Sequence, residues 1–176
     1  MQTIRPATNA DIEAIAAIYE YHVLHGTASF ETVPPGRIEM MRRYNALREQ
    51  AYPYLVAEAD GVVVGYAYAG PYRARVAYRN TVEDSIYLQA DQIGRGTGTL
   101  LLGALIAACE QRGYRQMIAV VGDSGSVGSI RLHERHGFSR IGALRSVGYK
   151  HGRWLDSVLL QRELGCGDST SPAFDQ

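Results

Sequence analysis

Hydrophobic positions recur along this chain in two rhythms, and the change from one to the other marks out its elements. Ile12, Ile15, Ile18, Tyr19 and Val23 recur every three or four residues, the spacing of one helix face. Before them stands Thr8-Asn9-Ala10-Asp11, a capping box in which Thr and the acid three places on satisfy free amides at a helix start. Pro34-Pro35-Gly36 breaks the chain, and a second, more polar helix is predicted over residues 37–50. Two strand-like runs lie at 54–59 and 62–69, joined by Asp60-Gly61, a strong hairpin signal.

Residues 72–79 are basic and irregular, and 81–90 read as another strand. A Gly-rich turn then opens an amphipathic helix over 98–112, which Gly113 ends in the manner of a left-handed cap. Residues 117–121 are short and wholly apolar, as in the buried centre of a sheet. A helix over 127–136 stops at Gly137, extended chain resumes at Phe138, and 154–161 form a last strand. Ile4 and Arg5 fit a short first one. There is no internal repeat. The order is mixed α/β, one domain over residues 1–164 with a strand-turn-helix unit at its centre. The polar, turn-rich segment 165–176 is expected to be disordered.

Composition narrows the function classes. Lys plus Arg and Asp plus Glu number 18 each, so the net charge of zero gives no support to nucleic-acid or anionic-membrane binding. No apolar run approaches the roughly 18 residues of a membrane span, and the first six residues lack the apolar core of a secretory leader. Two cysteines, Cys109 and Cys166, are too few for a disulfide framework. A soluble protein with reduced thiols in the cytoplasm is expected.

The turn Gly94-Arg95-Gly96-Thr97-Gly98-Thr99 carries the most chemistry. Glycine permits positive backbone angles and a close ligand, and a helix N-terminus offers unpaired N–H groups with a partial positive charge. A pyrophosphate suits such a turn. A dinucleotide fingerprint would need glycine where Thr99 stands, and a Walker A loop would need Gly-Lys-Ser/Thr. A Rossmann-type oxidoreductase and a nucleotide triphosphatase are both disfavoured.

Strand, Gly94-Arg95-Gly96-Thr97-Gly98 and amphipathic helix together resemble the acetyl-CoA-binding motif of the GNAT acetyltransferase superfamily, with Ile93 in place of its usual Gln or Arg. Ser129-Ile130-Arg131-Leu132-His133-Glu134-Arg135-His136-Gly137-Phe138 resembles the superfamily's second motif, with His133 in the slot where many members carry a tyrosine. Narrower still, Thr81-Val82-Glu83-Asp84-Ser85-Ile86-Tyr87, Leu132-His133-Glu134 and the run from Gly148 to Asp156 are similar to motifs of the phosphinothricin and methionine sulfoximine acetyltransferase branch. The resemblance spans residues 3–163. It implies a GNAT fold, a mostly antiparallel sheet with one parallel β-turn-α-β core flanked by helices. It also implies acetyl-CoA as cosubstrate, a small amine as acceptor, no metal, and a homodimer.

Acetyl transfer to an amine requires a base, a polarised thioester carbonyl and a stabilised leaving thiolate. The resemblance implies Glu83 as the base, and strand parity puts Glu83 and Ser85 on one face with Asp84 on the other. It implies His133 beside the thioester sulfur, with Tyr87 as the alternative. For acetyl-CoA it implies the main chain of Ile86, Tyr87 and Leu88, the turn Gly94, Arg95, Gly96, Thr97, Gly98 and Thr99, and Ser126 where the family usually has asparagine. Three arginines and two tyrosines crowd residues 72–79, and arginine holds a carboxylate or phosphinate through two parallel N–H bonds. Among them the resemblance implies Arg73 and Arg75 as ligands for an acidic acceptor. Ala74, Tyr78, Glu83, Asp84 and Ser85 complete the implied substrate set. Phe30 and Glu31 also resemble a branch signature, and Lys150 and Trp154 border either the acceptor pocket or a subunit contact. Acetylation of another small amine, and a CoA-binding regulatory module without turnover, remain as competing readings.

Overall fold

The structure, a computed structural model, describes residues 2–172. The capping box forms as its spacing predicts. The Thr8 amide donates to Asp11 Oδ2 at 2.7 Å, and a single 3-10 turn, Asn9–Asp11, leads into helix α1, Ile12–His25. Arg5 donates to both oxygens of Asp11 at 2.8 Å, and these hydrogen bonds hold the Asp11 carboxyl down at about 2. Helix α2 is Gly36–Glu49. Strand β1, Gln2–Pro6, pairs with β2, Tyr54–Ala59, and β2 turns through Asp60 and Gly61 into β3, Val62–Pro71. Both turn residues have positive φ, 50° and 80°, as a two-residue turn of matching twist requires.

Strand β4, Thr81–Leu88, runs antiparallel to β3 and leads through the Gly-rich turn into helix α3, Thr97–Gln111. Next come β5, Gln116–Gly122, and helix α4, Val127–Arg135. The chain closes with a long hairpin of β6, Ser139–Lys150, and β7, Arg153–Glu163. Among the described residues the strands form one seven-stranded sheet in the order β1-β2-β3-β4-β5-β7-β6. Only β4 and β5 pair in parallel.

Each face of the sheet carries its own core. Leu101, Leu102, Leu105 and Cys109 of α3 pack with Val82, Met117 and Leu160 on one face. Ile12, Ile15 and Val23 of α1 and Tyr44 of α2 pack with Tyr54, Tyr66 and Tyr87 on the other. Truncating a fully buried leucine such as Leu105 to alanine costs about 2–5 kcal/mol.

Two expectations change in detail. The sequence pattern leaves the extended chain after Phe138 without a defined end, whereas β6 is an unbroken edge strand with two register shifts, between Arg140 and Gly142 and between Leu144 and Gly148. Residues 165–172, within the tail expected to be disordered, form turns to which Arg115 donates at Gly167 O, Thr170 Oγ1 and Ser171 O. Residues 173–176 lie outside the described residues. Among those described, no helix is long and apolar enough to cross a membrane.

Candidate active site

The β4–β5 pairing ends early. Its register runs from Thr81 opposite Gln116 to Asp84 opposite Ala119, after which β4 continues against β3 and β5 continues against β7. From Ser85 onward the β5-facing edge of β4 therefore has no strand partner. The two strands splay around a cleft of about 310 Å³ lined by Glu83 to Tyr87, Ala119 to Gly122, Ser126, Ser129, His133 and Ser157. Ala28, Ser29 and Phe30, from the loop between α1 and α2, close its other side. The splay explains why Val120, in an otherwise buried strand, is 38% exposed.

Alternation along β4 sorts the candidates between two faces. Val82, Ile86 and Leu88 join the α3 core, and Asp84 is buried against α4. Glu83 and Ser85 share the opposite face with Tyr87, which joins the α1–α2 core. Burial pushes the Glu83 carboxyl above its ordinary value, and the charge of Asp84 pushes it the same way.

His133 is 2% exposed, and both ring nitrogens have protein partners. Nδ1 lies 2.8 Å from Ser129 O and Nε2 lies 3.0 Å from Asp84 Oδ2. Since a carbonyl only accepts, Nδ1 carries a proton. Burial opposes a second proton, but the hydrogen bond and charge of Asp84 outweigh it and the imidazole is raised above its ordinary value. The two side chains thus form a buried hydrogen-bonded pair, with Asp84 Oδ1 left without a hydrogen-bond partner.

Tyr87 has a packing role. Its ring stacks on Tyr66 at 5.3 Å and meets Tyr19 edge-on at 5.1 Å, and burial holds its phenol well above the usual range. Leu88 O already accepts from His22 Nε2 at 2.7 Å. Nothing in the sequence around His22 signals this contact.

At the Gly-rich turn, Gly94 and Gly96 have φ of 81° and 88°, and a Cβ at either would meet nothing within 4 Å. The space before them is open to a ligand. Gly96 caps α3 without a side-chain hydrogen bond, which leaves the first-turn amides of α3 without a side-chain partner. Arg95 and Thr99 are exposed beside them. Thr97 and Gly98 also pack inward. A Cβ at Gly98 would press on Leu132 Cδ2 at 3.2 Å, and buried Thr97 accepts from the Gln2 side chain at 2.9 Å. Ser126 lines the cleft at the start of α4, its hydroxyl donating to Gly122 O at 2.9 Å.

Arg73, Ala74, Arg75 and Tyr78 are exposed and do not line the cleft of the single chain. Arg73 lies over the rings of Tyr72 and Tyr78 at 5.1 and 5.9 Å. Their loop is nonetheless rooted beside the base candidate, because the β3–β4 register sets Gly70 opposite Glu83. Phe30 lines the cleft, whereas Glu31 turns away to Arg43 at 2.6 Å and Tyr19 at 2.8 Å. Trp154 is 64% exposed against Tyr149, away from the cleft.

The fold that carries this cleft and turn is matched by comparison with known proteins. The model of the acetyltransferase (GNAT) domain family matches residues 4–159. The chain belongs to the GNAT acetyltransferase family.

Phosphinothricin N-acetyltransferase of Alcaligenes faecalis is 54% identical over 170 residues, covering 97% of this chain and 86% of the relative. L-methionine sulfoximine/L-methionine sulfone acetyltransferase of Pseudomonas paraeruginosa is 41% identical over 163 residues, covering 92% and 94%. A crystal structure of a GNAT superfamily phosphinothricin acetyltransferase from Sinorhizobium meliloti, in complex with acetyl-CoA, superposes with a TM-score of 0.96 at 44% identity, covering 99% of this chain and 94% of that one. The mixed α/β GNAT fold read from the motifs is the fold observed. Among the described residues of this GNAT chain no cluster of His, Cys, Asp or Glu has a metal-binding arrangement.

Proposed function

We infer that this GNAT protein is an N-acetyltransferase that moves acetyl from acetyl-CoA to the amine of a small amino-acid-like acceptor of the phosphinothricin, methionine sulfoximine or methionine sulfone type. One observation carries the reading: the cleft between β4 and β5 is lined by Glu83, and β4 runs on from it into the Gly-rich turn and the α3 N-terminus.

The residues fit the cosubstrate. The unpaired edge of β4 can take the pantetheine amides as an added strand would. Open space before Gly94 and Gly96, with the free amides of α3, suits the pyrophosphate. Acetyl-CoA supplies an activated thioester; the protein supplies position and proton handling. An alkyl ammonium has a pKa near ~10 and must lose a proton to attack. Glu83, half-buried and raised, takes that proton directly or through a water. As the C–N bond forms and the C–S bond breaks, the nitrogen gives up its second proton and the departing thiolate takes one up, directly or through a water, beside His133, whose ring nitrogens are held by Ser129 O and Asp84. Arg73 and Arg75, on the loop rooted beside Glu83, attract the acid end of the acceptor.

The homodimer belongs to the same reading, supported by the outer hairpin. Ile141, Leu144, Val147 and Tyr149 of β6 and Trp154 of β7 are each more than half exposed, an apolar surface of the hairpin that a second copy would cover. We also propose a cytoplasmic location. The two thiols are unpaired, and burial pushes Cys109 to about 12, which makes it inert.

The test is thiol release from acetyl-CoA with a panel of amines. Turnover with methionine sulfoximine or phosphinothricin, and none with spermidine or a peptide N-terminus, is the expected result. Cofactor binding without thiol release from any amine would establish a non-catalytic CoA module instead.

A further inference from the structure

The loop that closes the amine side of the cleft is held by a buried lysine that the acetyl-transfer chemistry does not use. Lys150, at the end of β6, is 5% exposed, and its Nζ donates to Ser29 O at 2.7 Å across 121 residues of sequence. Burial opposes its charge, and Glu31 is the acid whose charge acts on it favourably. An ammonium buried with so few partners costs stability, so its presence calls for another reason.

The surrounding contacts converge on one segment. Phe30 lies across Gly148 and Gly122, and a Cβ at either glycine would collide with its ring. Ser29 Oγ meets the Tyr19 hydroxyl at 2.8 Å. The end of the β6–β7 hairpin thus grips residues 28–30 from outside while α1 holds them from within. Those residues line the same cleft as Glu83, Ser85 and His133.

We propose that Lys150 is a positioning residue for acceptor specificity, fixing the Ser29 carbonyl so that Phe30 forms the wall against which the amine substrate is held. The proposal rests on the N-acetyltransferase function inferred for the cleft. Lys150 touches neither substrate; its contribution is to acceptor affinity and not to acetyl-CoA affinity.

The experiment is steady-state kinetics of the full chain with methionine sulfoximine and acetyl-CoA, each varied against the other. Lys150→Met is expected to raise KM for the amine by about ten-fold, the equivalent of one hydrogen bond to a charged group. KM for acetyl-CoA and kcat should stay within about two-fold, and the melting temperature should not fall, because a buried charge is removed. Gly148→Ala moves the same wall from its other side, leaves Lys150 intact, and should give the same amine-only signature. Should Lys150→Met fail to fold, Gly148→Ala decides alone. An unchanged amine KM, or equal losses for both substrates, overturns the proposal. Wild-type protein that releases no thiol with any amino-acid amine removes the function itself, and this proposal with it.

Discussion

The two walls of the cleft have different origins in the chain. On the side proposed for the cosubstrate the unpaired edge of β4, the Gly-rich turn and the start of α3 are one continuous stretch, residues 83–99, joined by the first turns of α4. The side proposed for the acceptor is made by residues 28–30 and Gly122, backed by Gly148 and Lys150 and brought together by tertiary packing alone. The first wall works mainly through backbone: amides, an open strand edge and two glycines at positive φ. The second works through side chains whose partners lie far off in sequence. A backbone site tolerates much sequence change and suits a cosubstrate shared across a family. A side-chain wall can be altered one residue at a time, which suits an acceptor that differs from member to member.

Glu83 sits where the walls meet, so its substitution is expected to have the largest effect. Glu83→Gln should lower kcat about 10²-fold at neutral pH, the lower end of what a positioned base contributes. The pH profile identifies the cause. A base must be unprotonated, so wild-type kcat/KM should fall as pH drops through the Glu83 pKa, which burial and Asp84 raise above 4.5. The variant should lack that limb and recover partly toward pH ~10, where free amine becomes plentiful. Stability runs the other way. A carboxyl with a raised folded pKa binds protons more tightly in the folded state, so the wild type loses stability relative to Glu83→Gln as pH rises from 4.5 through that raised value. Denaturant melts at low and neutral pH check this sign and separate lost chemistry from lost fold. An unchanged profile would remove Glu83 from the role of base.

Gly96→Ala should strike the cosubstrate wall alone. Nothing lies within 4 Å of the added Cβ, so the cost comes from a φ of 88°, about 1–2 kcal/mol for a residue with a Cβ. If the turn relaxes to relieve it, the α3 amides shift. KM for acetyl-CoA should then rise several-fold with the amine KM unchanged, the mirror image of Gly148→Ala. Isothermal titration with CoA checks this without turnover. A rise in both constants would mean that the walls are not separable.

The same division decides how much of the molecule is legible in its sequence. The hairpin at Asp60-Gly61, the capping box at Thr8 and the stops at Gly113 and Gly137 are set by neighbouring residues, and each lies where its local chemistry predicts. The Gly-rich turn is equally local, though its pattern does not distinguish Gly94 and Gly96, which face open space, from Gly98, which packs against Leu132. The splay after Asp84 is hidden because it depends on where the β4–β5 pairing stops, which no periodicity encodes. His133 reads as a residue for the leaving group, but its pairing with Asp84 joins positions 49 residues apart. Strand parity turns Asp84 away from Glu83 without naming its partner. Lys150 and Phe30 carry a resemblance and no geometry. Their carbonyl and glycine partners leave no mark in a sequence.

The arginine loop gives the smallest and most discriminating test of the two-wall picture. Arg73 and Arg75 read as ligands for an acidic acceptor, yet in the single chain they are exposed and outside the cleft, with Arg73 lying over two tyrosine rings. A charge in that position steers an anionic substrate through solvent and contributes at most about 1 kcal/mol, as other exposed charges do. Arg73→Ala should therefore raise the amine KM by about two- to five-fold at low ionic strength, and the difference should vanish near ~0.5 M salt, where the screening length falls below ~5 Å. A larger, salt-resistant loss would mean direct contact with the acceptor. The acceptor wall would then need a third component, either loop 72–79 folded inward or the same loop meeting a second copy of the chain.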